Sequence, residues 1–216
     1  MRTGSASLDL LATRGERLAL MRSAMTMEDE TVGPSAIDSL MLIEADERGA
    51  IAAYDRWDLG DLDAAYAELD ARWGSGEGRG HASQLAFLQS FDAALTQRDW
   101  DALAAGFAPG FVGDDHRLVS WGTLHGDAFV EAFRALVALA PDVRLRWDHL
   151  RMSSSAMLAE AVWIGTRDGG AFESPFLLVA AFDAGGKSLR CDFYDPHHLD
   201  RARTRQASTV HVCVQP

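Results

Sequence analysis

Cysteine is almost missing from this sequence: Cys191 and Cys213 are the only two among 216 residues. One sits in an apolar run and the other near the C-terminus, a placement that makes neither a disulfide framework nor a zinc site. Lysine is scarcer still, with Lys187 alone. Twenty basic residues against thirty-two acidic ones leave a net charge of −12. Such a chain has no concentrated positive field for phosphate backbones or anionic lipid, so neither nucleic acid nor a membrane is an expected partner. The most basic stretch, Arg144, Arg146 and Arg151, is interleaved with Trp147, Asp148 and His149 and reads as a solvated strand face. No apolar run approaches the roughly 20 residues of a membrane span. Met1 to Leu11 lacks the basic start, apolar stretch and cleavage site of a secretion signal, so the expected location is cytoplasmic. A phosphate-cradling loop is missing too, because Gly74–Gly80 follows no strand and holds no lysine. No Gly-x-Ser-x-Gly elbow occurs.

What is present is an ordinary globular composition, 48% hydrophobic and 24% charged, long enough for one large domain or two small ones. The clearest organising signal is an internal repeat at an offset of 137 residues. Gly33, Leu40, Asp46, Gly49, Asp55, Asp58, Leu62, Asp63 and Ala65 recur as Gly170, Leu177, Asp183, Gly186, Asp192, Asp195, Leu199, Asp200 and Ala202, nine identities in 33 ungapped pairs. Chance would give about two. Each copy reads as an apolar strand, an Asp/Gly turn, a return strand and a helix start, with Asp58 and Asp195 as N-caps and Pro196 in the first helical turn.

The first segment then predicts strands over Arg17–Met27, Ile37–Glu44 and Ala50–Arg56 and a helix over Leu59–Trp73. Four glycines in Gly74–Gly80 mark a linker. Beyond it come a helix around Leu85–Leu95, a helix over Trp100–Phe107 capped by Asp99, a strand over Phe111–Ser120 and a helix over Asp127–Leu139. Strands Val143–Met152, Ala156–Thr166, Phe172–Phe182 and Ser188–Tyr194 and a terminal helix complete the chain. The expected organisation is a partial copy at 1–73, a linker at 74–81, a complete domain at 82–206 and an unassigned tail at 207–216. A sheet with one apolar face must cover it, so the half-copy is expected to pack on the complete domain or to form a homodimer.

Three stretches carry a resemblance: Phe107-Ala108-Pro109-Gly110-Phe111-Val112-Gly113-Asp114-Asp115-His116-Arg117, Trp121-Gly122-Thr123-Leu124-His125-Gly126-Asp127-Ala128-Phe129, and Gly186-Lys187-Ser188-Leu189-Arg190-Cys191-Asp192-Phe193-Tyr194-Asp195. With the element order, they resemble the NTF2-like or SnoaL-like superfamily, in full over about residues 82–205 and in part over 15–73. The paired copies and the Asp-His-Arg and Tyr-Asp-Pro-x-x-Leu-Asp stretches are similar to SnoaL-like regions of actinobacterial multidomain proteins. The resemblance implies an α+β fold in which helices pack on a strongly curved antiparallel sheet, a cone, here preceded by a half-copy of sheet plus helix.

It also implies an acid/base aspartate at Asp192, where epoxide hydrolases and SnoaL-type cyclases keep one on the last strand, and a carboxylate at Asp115, as in ketosteroid isomerases. Alternation groups Arg190, Asp192 and Tyr194 on one face of their strand, and Asp115 with Arg117 on theirs. If the first face looks inward, burial raises the Asp192 pKa toward proton transfer; if outward, these are surface or interface residues. His116 is either a general base or a structural histidine, and Asp115 either orients a ligand or forms an ion pair. Trp121, Trp147, Trp163 and Tyr194 are candidate pocket walls, with Arg117 at the polar end. Arg167-Asp168 leads into Gly169-Gly170 and reads as a hairpin turn, unlike the Arg-x-Asp pair of epoxide hydrolases. Asp192, Asp195, His197 and His198 are not expected to bind a metal, since adjacent histidines at a helix start converge poorly. No cofactor is expected. Two functions follow: cofactor-free acid/base catalysis on a small hydrophobic carbonyl compound by Asp192, Asp115 and His116, or a non-catalytic ligand-binding or assembly module.

Overall fold

The computed structural model describes residues 3–28 and 35–212. Gly33, Cys213 and the last residues of the expected tail lie outside them. The chain divides into two compact units, Met1–Arg79 and Gly80–Pro216.

The first unit is four antiparallel strands in sequential order, β1 (Thr3–Arg14), β2 (Leu18–Glu28), β3 (Ser35–Ala45) and β4 (Ile51–Trp57), followed by a 3-10 turn (Leu59–Asp61) and helix α1 (Leu62–Ser75). Three strands were expected. The additional β1 alternates Ala6, Leu8 and Leu10 with Ser5, Ser7 and Asp9, a period-two pattern. Helix α1 buries Ala65, Leu69 and Trp73, whose three- and four-residue spacing makes one apolar stripe, and it lies over the face that carries Leu18, Leu20, Leu40 and Leu42. The glycine tract is not a loose linker. Helix α1 runs through Ser75 and a 3-10 turn spans Glu77–His81. Gly78 is buried where a Cβ would lie 2.8 Å from the Trp73 carbonyl oxygen. Glycine is required at 78 because its backbone packs against the Trp73 indole.

The second unit contains α2 (Ala82–Gln97), α3 (Trp100–Ala105), β5 (Phe107–Asp115), β6 (Thr123–His125), α4 (Gly126–Leu139), β7 (Arg144–Met152), β8 (Ala156–Arg167), β9 (Gly170–Phe182), β10 (Ser188–Tyr194), a 3-10 turn (Pro196–His198) and α5 (Leu199–Val212). Its sheet order is β7-β8-β9-β10-β5-β6. Every pairing is antiparallel except β10 with β5, which is parallel, a departure from the all-antiparallel expectation. Strand β5 also begins and ends earlier than expected: Pro109 and Gly110 do not prevent it from starting at Phe107, and His116–Ser120 is irregular. Asp99 caps α3 by accepting from the Ala102 amide at 2.9 Å. Asp58 and Asp195 make no such side-chain cap. Asp168 and Gly169, with φ of 52° and 78°, form the hairpin turn expected of them. Helix α5 extends into the expected tail.

The stretches around Asp46 and Asp183 form turns of the same construction. Asp46 accepts from the amides of Arg48 and Ala50, and Asp183 from those of Gly185 and Lys187. Gly49 and Gly186 take φ of 80° and 82°, open to glycine without a Cβ clash.

Strands β8 and β9 are apolar on both sides. On the concave side, Phe176, Leu178 and Ala180 of β9 face rings from α2, α4 and β5. On the other side, Leu158, Leu177, Val179 and Tyr194 pack with Ala202 of α5. Phe133 is the hub of the concave side, with ring centroids 5.0–5.8 Å from Phe91, Trp121, Phe129 and Trp163. Removing that ring takes away both transfer energy and its neighbours' contacts, so Phe133→Ala should cost about 3–5 kcal/mol, read as a lower urea midpoint at unchanged slope.

Candidate functional site

The sequence-predicted residues fall into two polar clusters on opposite sides of the second sheet. In β10, Cys191 and Phe193 face the concave interior, so alternation sends Arg190, Asp192 and Tyr194 to the other side, toward α5. Of the two directions left open for this face, the structure takes the one away from the concave interior, and α5 covers it.

Parallel register sets Asp192 beside Asp114, two carboxylates that would repel. Arg190 resolves the conflict: its Nη2 donates to Asp114 Oδ2 at 2.7 Å and to Asp192 Oδ1 at 2.8 Å, and its Nε to Asp192 Oδ2 at 2.8 Å. Arg205 of α5 adds a 3.0 Å bond to Asp192 Oδ2. His116 Nε2 lies 3.0 Å from Asp192 Oδ1, and its ring stacks on Tyr194 at 4.7 Å. Asp192 is 2% exposed. Burial pushes its pKa up, yet the bonds from Arg190, His116 and Arg205 together outweigh that and hold it below the usual 3.8. Burial by itself would raise it, as expected for an inward-looking face; the guanidiniums reverse the direction. The same network raises the Arg190 pKa, chiefly through its bond to Asp192. Burial raises that of Tyr194, with Asp192 adding to it, and drives the Cys191 thiol up to about 12.

The second cluster sits at one end of the concave interior. Asp115 accepts from Arg117 Nε and Nη2, both at 2.9 Å, and from the amides of Arg117 and Trp121. Burial raises its pKa and these bonds more than offset it, so Asp115 also titrates below 3.8. The Arg117 guanidinium lies 5.4 Å from the Trp121 ring centroid and 5.6 Å from those of Phe176 and Phe193. The two residues grouped in the sequence are paired, although Arg117 lies past the end of β5.

The interior itself is full. Trp147 and Trp163 do line it, but with Phe129, Phe133, Phe176 and Phe193 they leave a cavity of about 20 Å³, room for a single water. Neither Asp115 nor Asp192 lines that cavity, and on the α5 side an open groove of about 420 Å³ runs along Tyr194, Arg201 and Arg205. A larger open groove, about 510 Å³, lies along Phe107, Phe111, Val130 and Lys187, and none of the predicted site residues borders it.

Three partners escaped the sequence reading. Asp114 and Arg205 join Asp192 through parallel register and helix docking, which no local pattern encodes. Asp92, which accepts from Trp147 Nε1 at 2.9 Å, did leave a signal: it lies four residues after Leu88 and three before Leu95, inside an apolar stripe.

No protein-family model matches the sequence, and no curated protein sequence matches it. Solved structures do. One is a protein with a ketosteroid isomerase-like fold from Catenulispora acidiphila, in complex with trimethylamine: 20% identity, 50% of this chain and 83% of that one, TM-score 0.44. Another is an NTF2-like protein of unknown function from Burkholderia pseudomallei: 18% identity, 62% and 98%, TM-score 0.44. A third is an LEH-like epoxide hydrolase from Mycobacterium tuberculosis: 15% identity, 61% and 96%, TM-score 0.44. The second unit is α+β, with rings of α2 and α4 on the concave side of its sheet and α5 on the other. No helix among the described residues is long and apolar enough to cross a membrane.

Both buried carboxylates have folded pKa values below the unfolded 3.8, so on acidification the unfolded chain takes up protons first. Their contribution to stability is complete above that value and is lost as pH falls through it toward the lower folded values. The urea midpoint should drop below about pH 4, and Asp192→Asn should flatten that limb while costing about 3 kcal/mol at neutral pH, since the buried side chain no longer offers a charge to the part-exposed Arg190 and Arg205 guanidiniums. An equal wild-type midpoint at pH 3 and pH 7 would contradict that linkage.

Proposed function

We propose that this chain is a non-catalytic assembly module, and that a second copy of it covers the open face of its N-terminal sheet. The observation that carries the reading is a contrast between the two faces of the same strands. Where β1, β2 and β3 extend past α1, one face holds Ser5, Ser7, Asp9, Arg22, Thr26 and Asp38, with Arg22 paired to Asp38. The other holds Leu8, Leu10, Met25, Met27 and Ile37, continued by Ile51 and Tyr54 on β4, between 39% and 67% exposed. Solvated sheets place polar residues outward. This one places apolar residues outward and leaves them uncovered, and contiguous patches of that kind mark contact surfaces.

A second copy fits the face best. It carries no carboxylate, and its one charge, Arg56, is tied to Ser39, so the net charge of −12 stays off the contact. Four of the seven methionines, Met21, Met25, Met27 and Met41, lie on it, and flexible thioethers pack well against an identical partner. Four strands spaced about 4.8 Å apart and some eight residues long present about 500 Å²; two copies bury about 1,000 Å², the lower bound for a specific interface. The filled interior and the ionised, arginine-paired Asp192 and Asp115 weigh against the acid/base alternative.

Size-exclusion chromatography with light scattering at micromolar concentration should return a dimer. Met25→Glu with Ile37→Glu, residues opposite one another in register, should weaken dimerisation about a hundredfold or more with an unchanged circular dichroism spectrum. A monomeric wild type would sink the reading.

A further inference from the structure

We propose that Asp195, His197 and His198 form a binding site for a divalent first-row metal ion of the zinc class, at the corner where β10 passes into α5. Among the described residues, two groups of three Asp and His donors have ligand atoms within 4.8 Å of one another: Asp114, His116 and Asp192, and Asp195, His197 and His198. The first group already holds its cations. Both Asp192 oxygens accept from guanidiniums, and Asp114 Oδ2 accepts from Arg190. A metal there would have to displace them.

The second group has no such compensation. Asp195 Oδ2 accepts only the Leu118 amide, at 3.0 Å. His198 Nδ1 is buried with no hydrogen-bond partner, and a buried ring nitrogen left unpaired is destabilising. Adjacent histidines in an α-helix would diverge, which is why the sequence argued against a metal. The local backbone is instead a 3-10 turn, Pro196–His198, closed by the His198 amide on the Asp195 carbonyl at 2.9 Å. Asp195 is extended just before that turn, and its carboxylate comes within 4.8 Å of the histidine donor atoms. The His197 ring is drawn in as well, its centroid 4.1 Å from that of His198.

The donor set favours a transition metal over calcium or magnesium, since two imidazoles and one carboxylate are borderline ligands. The donor atoms lie within 4.8 Å of one another, so the set is wider than the about 3.4 Å edge of a tetrahedral zinc site by at most about 1.4 Å, within the reach of imidazole rotation. His197 is exposed and gives the ion a way in, and water would complete the coordination. Because Leu118 bonds to Asp195, a bound ion would tie the His116–Ser120 loop to the start of α5.

The test is isothermal titration of the untagged full chain with zinc chloride, alongside the visible spectrum of the cobalt-substituted protein. One zinc per chain and tetrahedral cobalt bands are expected. His198→Ala and His197→Ala should each weaken binding by about tenfold or more, while His149→Ala, on β7, should leave it unchanged. Absence of binding, or binding insensitive to both His197→Ala and His198→Ala, overturns the proposal. Unchanged circular dichroism of the variants ensures that a loss reports ligation and not unfolding.

Discussion

Close packing of aromatic rings on the concave side of the second sheet is the constraint on which the remaining features rest. Phe129 lies so near β5 that a Cβ on Gly113 would sit 2.5 Å from its ring. Phe107, Phe111 and Phe129 stack within 4.3–5.4 Å of one another. With α2 and α4 supplying rings to the same space, the cone closes on itself, and only about 20 Å³ remains. Interiors filled to that degree resemble crystals, not oil. A polar side chain admitted there would need partners, and Asp92 is held at the edge because Trp147 offers it an N–H. Everything else polar is excluded to the rim or to the far face.

That exclusion shapes the electrostatics. Asp192 and Asp114 are neighbours only because β10 and β5 run parallel, and their mutual repulsion is tolerable because two guanidiniums, Arg190 and Arg205, balance two carboxylates. Burial alone would have favoured a protonated acid; hydrogen bonds to cations decide otherwise. The first unit handles its own buried charge in the same way. Arg14, 1% exposed, is paired with Asp70 at 2.6 Å, and Arg72 of α1 bonds to both Asp55 and Glu68. Asp55 and Asp192 occupy matching positions in the two 33-residue stretches, yet their arginines come from different places in the chain. The carboxylate is matched; its partner was found by packing.

The two units differ in how completely their sheets are covered. In the second, α5 and the concave helices close both faces of β8 and β9. In the first, α1 covers one face, and the exposed Leu8, Met27 and Ile37 lie on the other. The open face and the convergent histidines at Pro196–His198 are both features in which local structure leaves something unfinished, apolar area in one case and an unpaired nitrogen in the other. Both therefore point outward, to an added copy or an added ion.

Much of this architecture was legible in the residues. Periodicity found all the helices and every strand from Leu18 onward except the three-residue β6. The Asp-Gly turns at Asp46 and Asp183 and the order of helices and strands followed from short-range rules, because alternation, capping and turn chemistry act within a few residues. Alternation also grouped Asp192 with Arg190 and Tyr194; Asp115 and Arg117 pair although Arg117 lies past the end of β5. It could not say which face looked inward. That depends on which side α2 and α4 dock and how many rings they bring, a sum over contacts far apart in sequence. The low Asp192 pKa, the full interior and the approach of Asp195 to His197 and His198 are likewise consequences of tertiary geometry, since each rests on partners or a local winding that one-dimensional spacing does not encode.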